Sequence, residues 1–164
     1  MILIENSITE DLINKLRNEL DENVPQNCWR SSSATWEPGI KQGVIGSCIN
    51  TFVSDTIQQL IEKELKSSLP KYRKLTCMYY IWQPQSGIGW HNDAWKNRLF
   101  GATLYLNDEW NPNNGGWFIW EDDDGHHTIL PKKKTLVIND NYQHHCVTPV
   151  AIGFRCTIQM WGDS

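Results

Sequence analysis

The segment LTCMYYIWQPQSGIGWHND, residues 75–93, shows the pattern on which the fold of this chain depends. Its first eight residues are rich in aromatic and other apolar side chains, which is typical of a short strand. The stretch from Pro84 to Gly89 then has the residue types that form turns. His91 and Asp93 follow two residues apart, so that in extended backbone both side chains project to the same side.

The same alternation of short apolar runs and turns continues towards the C-terminus. Turn-forming residues recur at 111–116, 122–125, 139–141 and 151–153. The runs between these turns are rich in aromatic and β-branched residues, as strands are. The half of the chain that begins at Leu75 therefore predicts many short strands.

The N-terminal part predicts helices instead. Ser7-Ile8-Thr9-Glu10 matches a capping box, and apolar residues follow it at helical spacing: Leu12, Ile13, Leu16 and Leu20. A second helix fits Phe52 to Leu69, before Pro70. Between the two helices, Val24 to Gly46 contains Trp29 and Trp36 among Pro, Ser and Gly residues, and predicts irregular segments or short edge strands.

Helices followed by many short strands predict an α+β fold whose body is a β-sandwich or jelly roll. The length of 164 residues is that of one domain. We therefore expect a single domain over residues 1–164, in which 1–74 are mainly helical support and 75–164 form the β core that carries the candidate ligands.

Charge and composition exclude several classes of partner. The net charge of -4 and the pI near 5.7 argue against a dedicated nucleic-acid binder, because such proteins need a basic face to release counterions from phosphates. No apolar stretch is long enough for a membrane span or a signal peptide. The five cysteines lack the C-x-x-C spacing of a zinc site. These features predict a cytoplasmic protein with reduced thiols and no membrane partner.

A metal site is the chemistry that His91 and Asp93 indicate. A third ligand is available at His144 or His145, and two histidines with one carboxylate suit a non-haem Fe(II) that keeps three positions open. Alternatively, Asp93 caps a turn and His91 is only hydrogen-bonded, which is the commoner role of such a pair. The run from His145 to Arg155 favours the metal, because it adds a guanidinium that can bind a carboxylate with two hydrogen bonds.

These motifs resemble those of the Fe(II)/2-oxoglutarate-dependent dioxygenase superfamily, specifically its prolyl 4-hydroxylase-like branch. The resemblance covers roughly Tyr79 to Trp161 and rests on SGIGWHND at 86–93, YLN at 105–107, Gly115-Gly116, and HCVTPVAIGFR at 145–155. It implies a double-stranded β-helix, which is a cupin-like jelly roll, with the N-terminal helices packed on one outer face.

The resemblance also implies a role for each matching residue. The ligands of Fe(II) would be His91, Asp93 and His145. Arg155 and Tyr105 would hold the distal carboxylate of 2-oxoglutarate. Molecular oxygen would be the second cosubstrate, and ascorbate is a further candidate cofactor.

Four aromatic residues are further candidates because of their positions. Tyr80 lies where some relatives place another polar contact to 2-oxoglutarate, but WQPQ at 82–85 replaces their usual Tyr-Pro-Gly. Trp95, Trp82 and Trp90 flank the metal ligands and are candidates for a substrate-binding rim, although core packing is the commoner role of Trp. The resemblance implies a peptide or protein substrate, with proline first, and aromatic faces suit such a chain.

The segment Glu121 to His127 is a second metal-like cluster, because it combines acidic residues with two histidines. Its Asp-Gly pair lies between two apolar runs, which is a strong hairpin signal. Acidic residues in such a hairpin are usually only solvated. We therefore expect a solvent-exposed hairpin here rather than a second metal.

The predicted function is oxygen-dependent hydroxylation of a substrate C–H bond, coupled to decarboxylation of 2-oxoglutarate to succinate. The alternatives are a metal-binding β-barrel module without turnover, a zinc hydrolase, and a nucleic-acid demethylase that uses the same iron chemistry. A zinc hydrolase leaves Arg155 and Tyr105 without a role. The acidic charge disfavours nucleic acid.

Overall fold

The computed structural model of the protein describes residues 1–23, 30–31 and 43–164. Within these residues the helices are α1 (Glu10–Asn18), which continues into a π-helical turn at Glu19–Asn23, and α2 (Asp55–Leu65), besides a short 3-10 helix at Pro112–Asn114. The strands are β1 (Ile2–Ile4), β2 (Arg30–Ser31), β3 (Val44–Ile45), β4 (Cys48–Phe52), β5 (Lys74–Trp82), β6 (Gly87–His91), β7 (Arg98–Tyr105), β8 (Phe118–Asp122), β9 (Gly125–Ile129), β10 (Leu136–Asn139), β11 (His145–Val147) and β12 (Arg155–Asp163).

The strands form two antiparallel sheets. The seven-stranded sheet has the order β1-β10-β7-β12-β5-β4-β2, and the five-stranded sheet has the order β3-β6-β11-β8-β9. One apolar cluster contains side chains from both sheets, among them Tyr80 from β5 and Phe118 from β8, and therefore lies between them. The α+β fold with a β-sandwich body, predicted from the order of the elements, is confirmed.

Helices α1 and α2 pack on the outer face of the seven-stranded sheet. A second apolar cluster joins Leu16 of α1 and Ile61 of α2 to Tyr79 of β5 and Leu104 of β7. The Tyr79 hydroxyl donates to the Leu16 carbonyl at 3.0 Å and so fixes the helix to the sheet. The helices therefore support the sheet from outside and leave the space between the sheets to the candidate site.

The start of α1 differs from the prediction. A capping box would make Ser7 the N-cap, but the N-cap is Thr9, whose hydroxyl accepts from the Leu12 amide at 3.2 Å. The Ser7 hydroxyl donates instead to the Lys134 carbonyl at 2.9 Å. This part of the prediction is wrong because a tertiary contact, which no local pattern records, takes the Ser7 side chain.

Helix α2 is shorter than the predicted helix from Phe52 to Leu69. Phe52 belongs to β4, where it pairs with Met78, and Ser54 caps the helix by accepting from the Ile57 amide at 3.3 Å. The sheet therefore determines where the helix begins. After Leu65 the chain continues in turns up to Pro70.

The predicted irregular region from Val24 to Gly46 is described only in part. Two short edge strands lie within it, β2 at one edge of the seven-stranded sheet and β3 at one edge of the five-stranded sheet. Trp29 and Trp36 lie outside the described residues. Among the described residues, no helix is long and apolar enough to span a bilayer.

Replacing Ile61 by Ala should lower the free energy of unfolding by about 2–5 kcal/mol, because its side chain is fully buried between helix and sheet. Urea unfolding monitored by circular dichroism measures this change. Gln59→Ala, at an exposed position of the same helix, is the matched control and should change stability by less than about 0.5 kcal/mol. Equal effects of the two substitutions would contradict the packing of α2.

Candidate metal centre

The pairing of β6 with β11 brings two histidines together inside the sandwich. His145 pairs with His91, whereas Val147 pairs with Ile88, so that β6 carries one extra residue in a β-bulge. Without the bulge, His91 would face away from Ile88, because the two residues are three apart. The bulge turns His91 inward, and its ring lies 4.3 Å from the His145 ring.

Asp93 completes the group from the segment that follows β6. Its Oδ1 lies 3.8 Å from Nε2 of His91, and its Oδ2 lies 3.6 Å from Nε2 of His145. The three ligand atoms lie within 4.8 Å of one another, and no other group in the described ranges does this. The H-x-D pair and the downstream histidine therefore meet at one point, as one divalent ion requires.

The other ring nitrogens are occupied by the backbone. His91 Nδ1 lies 2.8 Å from the Gly89 carbonyl, and His145 Nδ1 lies 3.0 Å from the Gln143 carbonyl. We assign the ring proton to Nδ1 in both histidines, because a carbonyl can only accept. Both Nε2 lone pairs then face Asp93. Such backbone contacts orient the ligands of known metal sites.

The triad is nearly buried, and its electrostatics favour metal binding. Burial, and secondly the neighbouring His145, lower the pKa of His91, while Asp93 opposes this shift. The His91 imidazole is therefore neutral at pH 7 and can donate its lone pair. The Phe118 ring stacks on His145 at 5.1 Å and keeps one side of the site apolar. Two imidazoles and one carboxylate are the donor set that suits non-haem Fe(II).

Gly101 and Arg98 of β7 hold Asp93 in position. The Cβ of any side chain at Gly101 would lie 2.7 Å from Oδ2 of Asp93, so that a residue other than Gly would push the carboxylate out of this position. Nη1 of Arg98 donates to the Asp93 carbonyl at 3.0 Å. The position of Asp93 thus depends on a neighbouring strand that contributes no ligand.

The triad opens into a cavity of about 250 Å³ between the sheets. Arg155 lies in its wall, 2% exposed, and its Nη2 donates to the Tyr105 hydroxyl at 3.3 Å. Nε of Arg155 has no hydrogen-bond partner. Burial raises the pKa of Tyr105, which therefore stays neutral. A buried cation with unused hydrogen-bonding capacity is suited to bind an anion inside the cavity.

Of the other predicted site residues, some line the cavity and others do not. Tyr80, Trp82 and Trp95 line the cavity, whereas Tyr105 is fully buried behind Arg155. Trp90 does not line the cavity, because it precedes His91 on the strand and lies on the outer face, 5.4 Å from the His126 ring. His144, the alternative third ligand, also faces outward, with Nδ1 3.3 Å from Glu121.

Sequence reasoning missed several residues of the cavity wall. The Arg98 guanidinium lies 5.1 Å from the Trp161 ring, and Arg98 Nε and Trp161 Nε1 are buried without hydrogen-bond partners. Thr103 donates to Gln159 at 2.8 Å in the same wall. Counting every second residue from Arg155 along its strand would have found Gln159 and Trp161, since both face inward with it.

Comparison with known sequences matches residues 77–162 to the family model of the 2OG-Fe(II) oxygenase superfamily. The PKHD-type hydroxylase YbiX of Shigella boydii is 35% identical over 81 residues, which are 49% of this chain and 32% of the relative. YbiX of Escherichia coli is 30% identical over 98 residues, which are 54% of this chain and 43% of the relative. The chain thus matches less than half the length of these curated relatives.

Solved structures share the fold over almost the whole chain. A prolyl-4-hydroxylase of Pseudomonas putida superposes with a TM-score of 0.76 at 20% identity, covering 99% of this chain and 92% of the other. A Trichoplax adhaerens prolyl hydroxylase, in complex with a hypoxia inducible factor peptide, superposes with a TM-score of 0.74 at 15% identity, covering 99% of this chain and 82% of the other. HygX of Streptomyces hygroscopicus, with nickel and 2-oxoglutarate bound, superposes with a TM-score of 0.68 at 11% identity, covering 99% of this chain and 82% of the other. The predicted jelly roll is confirmed.

Replacing Gly101 by Ala should abolish or strongly weaken divalent-metal binding while the protein stays folded, because the new methyl group displaces the Asp93 carboxylate. Elemental analysis after equilibrium dialysis against Fe(II) under anaerobic conditions measures the bound metal, and His145→Ala provides the reference for a lost ligand. Gly89→Ala is the matched control, because a Cβ there meets only ordinary contacts at 3.5 Å. Full iron occupancy in Gly101→Ala would contradict the site.

Proposed function

Because the chain belongs to the 2OG-Fe(II) oxygenase superfamily, we propose that it hydroxylates a peptide or protein side chain, with proline as first candidate, and couples this step to decarboxylation of 2-oxoglutarate. The observation that carries the proposal is one cavity that joins a two-histidine, one-carboxylate triad to a buried guanidinium with unused hydrogen-bonding capacity. A module that only binds metal has no use for that guanidinium, and neither has a zinc hydrolase.

In this proposal, His91, Asp93 and His145 hold Fe(II) on one side of the ion and leave the cavity side open for 2-oxoglutarate and oxygen. When bound, iron and 2-oxoglutarate supply the oxidising chemistry, in which one atom of O2 enters succinate, the other enters the product, and CO2 leaves. The chain itself keeps both imidazoles in the tautomer that presents Nε2. The Gly89 and Gln143 carbonyls do this.

Arg155 binds the distal carboxylate of 2-oxoglutarate in this mechanism. Two parallel hydrogen bonds from a guanidinium to a carboxylate fix both the position and the orientation of a dicarboxylic acid. The Tyr105 hydroxyl, which accepts from Nη2 of Arg155, holds the guanidinium in place from behind. Tyr80 lines the same cavity and is a further candidate contact.

Apolar side chains limit the access of water to the space next to the triad. Phe118, Val147 and Met78 are buried and line the space next to the triad. A dry site strengthens every electrostatic contact within it and protects a reactive iron centre from solvent. The cavity walls thus favour reaction with a bound C–H group over reaction with water.

Two unpartnered donors support a substrate that carries amide groups. Arg98 Nε and Trp161 Nε1 are buried at the cavity wall without acceptors, which is costly unless a ligand satisfies them. The carbonyl oxygens of an extended peptide are suitable acceptors. Trp95 is 43% exposed and lines the same cavity, where its ring can pack against a proline.

Arg155→Ala should weaken 2-oxoglutarate binding by roughly 10–100-fold, because hydrogen bonds to charged groups contribute about 1.5–3 kcal/mol. Anaerobic titration of the Fe(II)-loaded protein, followed by its charge-transfer absorbance, measures the affinity, and iron occupancy should stay unchanged. Arg17→Ala, which removes an exposed guanidinium paired with Asp108, is the control. Equal affinity in the Arg155→Ala and wild-type proteins would remove Arg155 from the cosubstrate site.

A library of proline-containing peptides should reveal the substrate class. Incubation with enzyme, Fe(II), 2-oxoglutarate and ascorbate as accessory reductant should add one oxygen atom to proline in some peptides, with one succinate formed for each. Mass spectrometry locates the modification, and the His145→Ala protein is the negative control. Succinate formation that depends only on free amino acids or nucleic acid, with every peptide unmodified, would refute the peptide assignment and keep the oxygenase chemistry.

A further inference from the structure

We propose that the outer face of the five-stranded sheet carries a second metal site, formed by His144, Glu121 and His126. The site lies on the opposite side of the sheet from the inner triad. It does not rest on the proposed hydroxylase function, and it would take a divalent ion such as Zn(II) that prefers imidazole nitrogen and carboxylate oxygen.

Three adjacent strands place these side chains in one row. The Glu121 amide donates to the His144 carbonyl at 3.2 Å, so that Glu121 of β8 is the neighbour of His144, which directly precedes β11. On its other side, Glu121 is in register with His126 of β9. Cα atoms of paired residues are only about 5 Å apart, and paired side chains share a face. Glu121 and His126 belong to the hairpin segment Glu121 to His127, for which the sequence predicts only solvation. The proposal departs from that expectation because His144, from a separate segment, joins them in the structure.

The inner residues of the same strands show which face the row occupies. His145 pairs with Trp120, and Trp120 pairs with His127, whose ring it stacks on at 5.1 Å. His145 belongs to the buried triad, so this second row faces the interior of the sandwich. Neighbouring residues on a strand point to opposite faces. His144, Glu121 and His126 therefore point to solvent together.

Both histidines approach the same carboxylate. Nδ1 of His144 lies 3.3 Å from Oε1 of Glu121, and Nε2 of His126 lies 3.6 Å from Oε2. The side chains are 56%, 46% and 67% exposed for His144, Glu121 and His126, so that an ion can reach them from solvent without opening the fold. The Trp90 ring, 5.4 Å from the His126 ring, limits the positions open to that imidazole.

The residue types of the row are those that bind Zn(II). Exposed contacts of this kind contribute little to stability, whereas two imidazoles and one carboxylate can provide three ligands of a tetrahedral ion, with water as the fourth. Unlike those of the inner triad, the ligand atoms of this row do not all lie within 4.8 Å of one another, so that rotation of the exposed side chains must close the site. We therefore expect weaker binding than at a preformed site.

Zn(II) titration of the metal-free protein tests the proposal by the number of ions bound. The wild type should bind two ions per chain, and His91→Ala, which disrupts the inner triad, should retain one. In the His91→Ala background, adding either His126→Ala or His144→Ala should lower the affinity for the remaining Zn(II) ion by roughly 10–100-fold or more. Even the removal of outer contacts to metal ligands has effects of this size. Calorimetry and elemental analysis measure affinity and stoichiometry.

His127→Ala in the same background is the matched control, because His127 lies in the same hairpin but faces inward, where its Nε2 is 2.8 Å from Asp122. It should leave the second ion in place. Nitrogen-15 NMR of the imidazoles gives a direct readout, since coordination shifts Nδ1 of His144 and Nε2 of His126. Binding of a single ion by the wild type would overturn the proposal, and so would loss of the second ion in His127→Ala but not in His126→Ala.

Discussion

The cross-strand pair of His91 and His145 is the constraint on which the site depends. The bulge in β6 makes that pair possible, because it lets Ile88 and His91 face inward although they are three residues apart. Asp93, only two residues further along the chain, then reaches both imidazoles. A shift of one residue in the pairing of β6 with β11 would turn one histidine to solvent, so that the three ligands would no longer meet.

The two sheets divide structural and chemical tasks between them. The seven-stranded sheet is supported from outside by α1 and α2 and presents Arg155, Tyr105 and Arg98 to the interior. The five-stranded sheet presents both histidines of the triad. Because Arg155 is 2% exposed and only partly satisfied by the protein, its burial costs stability that a bound anion would offset. The fold therefore contains a charge whose partner is expected to come from a ligand.

The sequence predicted the features that local patterns encode. The α+β class, the two helices and the convergence of an H-x-D pair with a downstream histidine follow from period, turn chemistry and motif. The start of α2, the use of Ser7 and the outward direction of Trp90 do not, because each depends on a contact or a bulge far along the chain. The requirement for Gly101 was equally invisible, since nothing around position 101 shows that a carboxylate from another segment lies against it.

The carbonyls that orient the two imidazoles affect how well the site tolerates amino-acid substitutions. Metal ligands are often oriented by neighbouring carboxylates or other side chains, which a single substitution can remove. Here Nδ1 of His91 and of His145 contacts main-chain oxygen at Gly89 and Gln143. Every residue type carries that oxygen. Any variant that preserves the backbone path therefore keeps both imidazoles in the same tautomer. The orientation of the ligands is therefore robust to mutation at the positions that provide it.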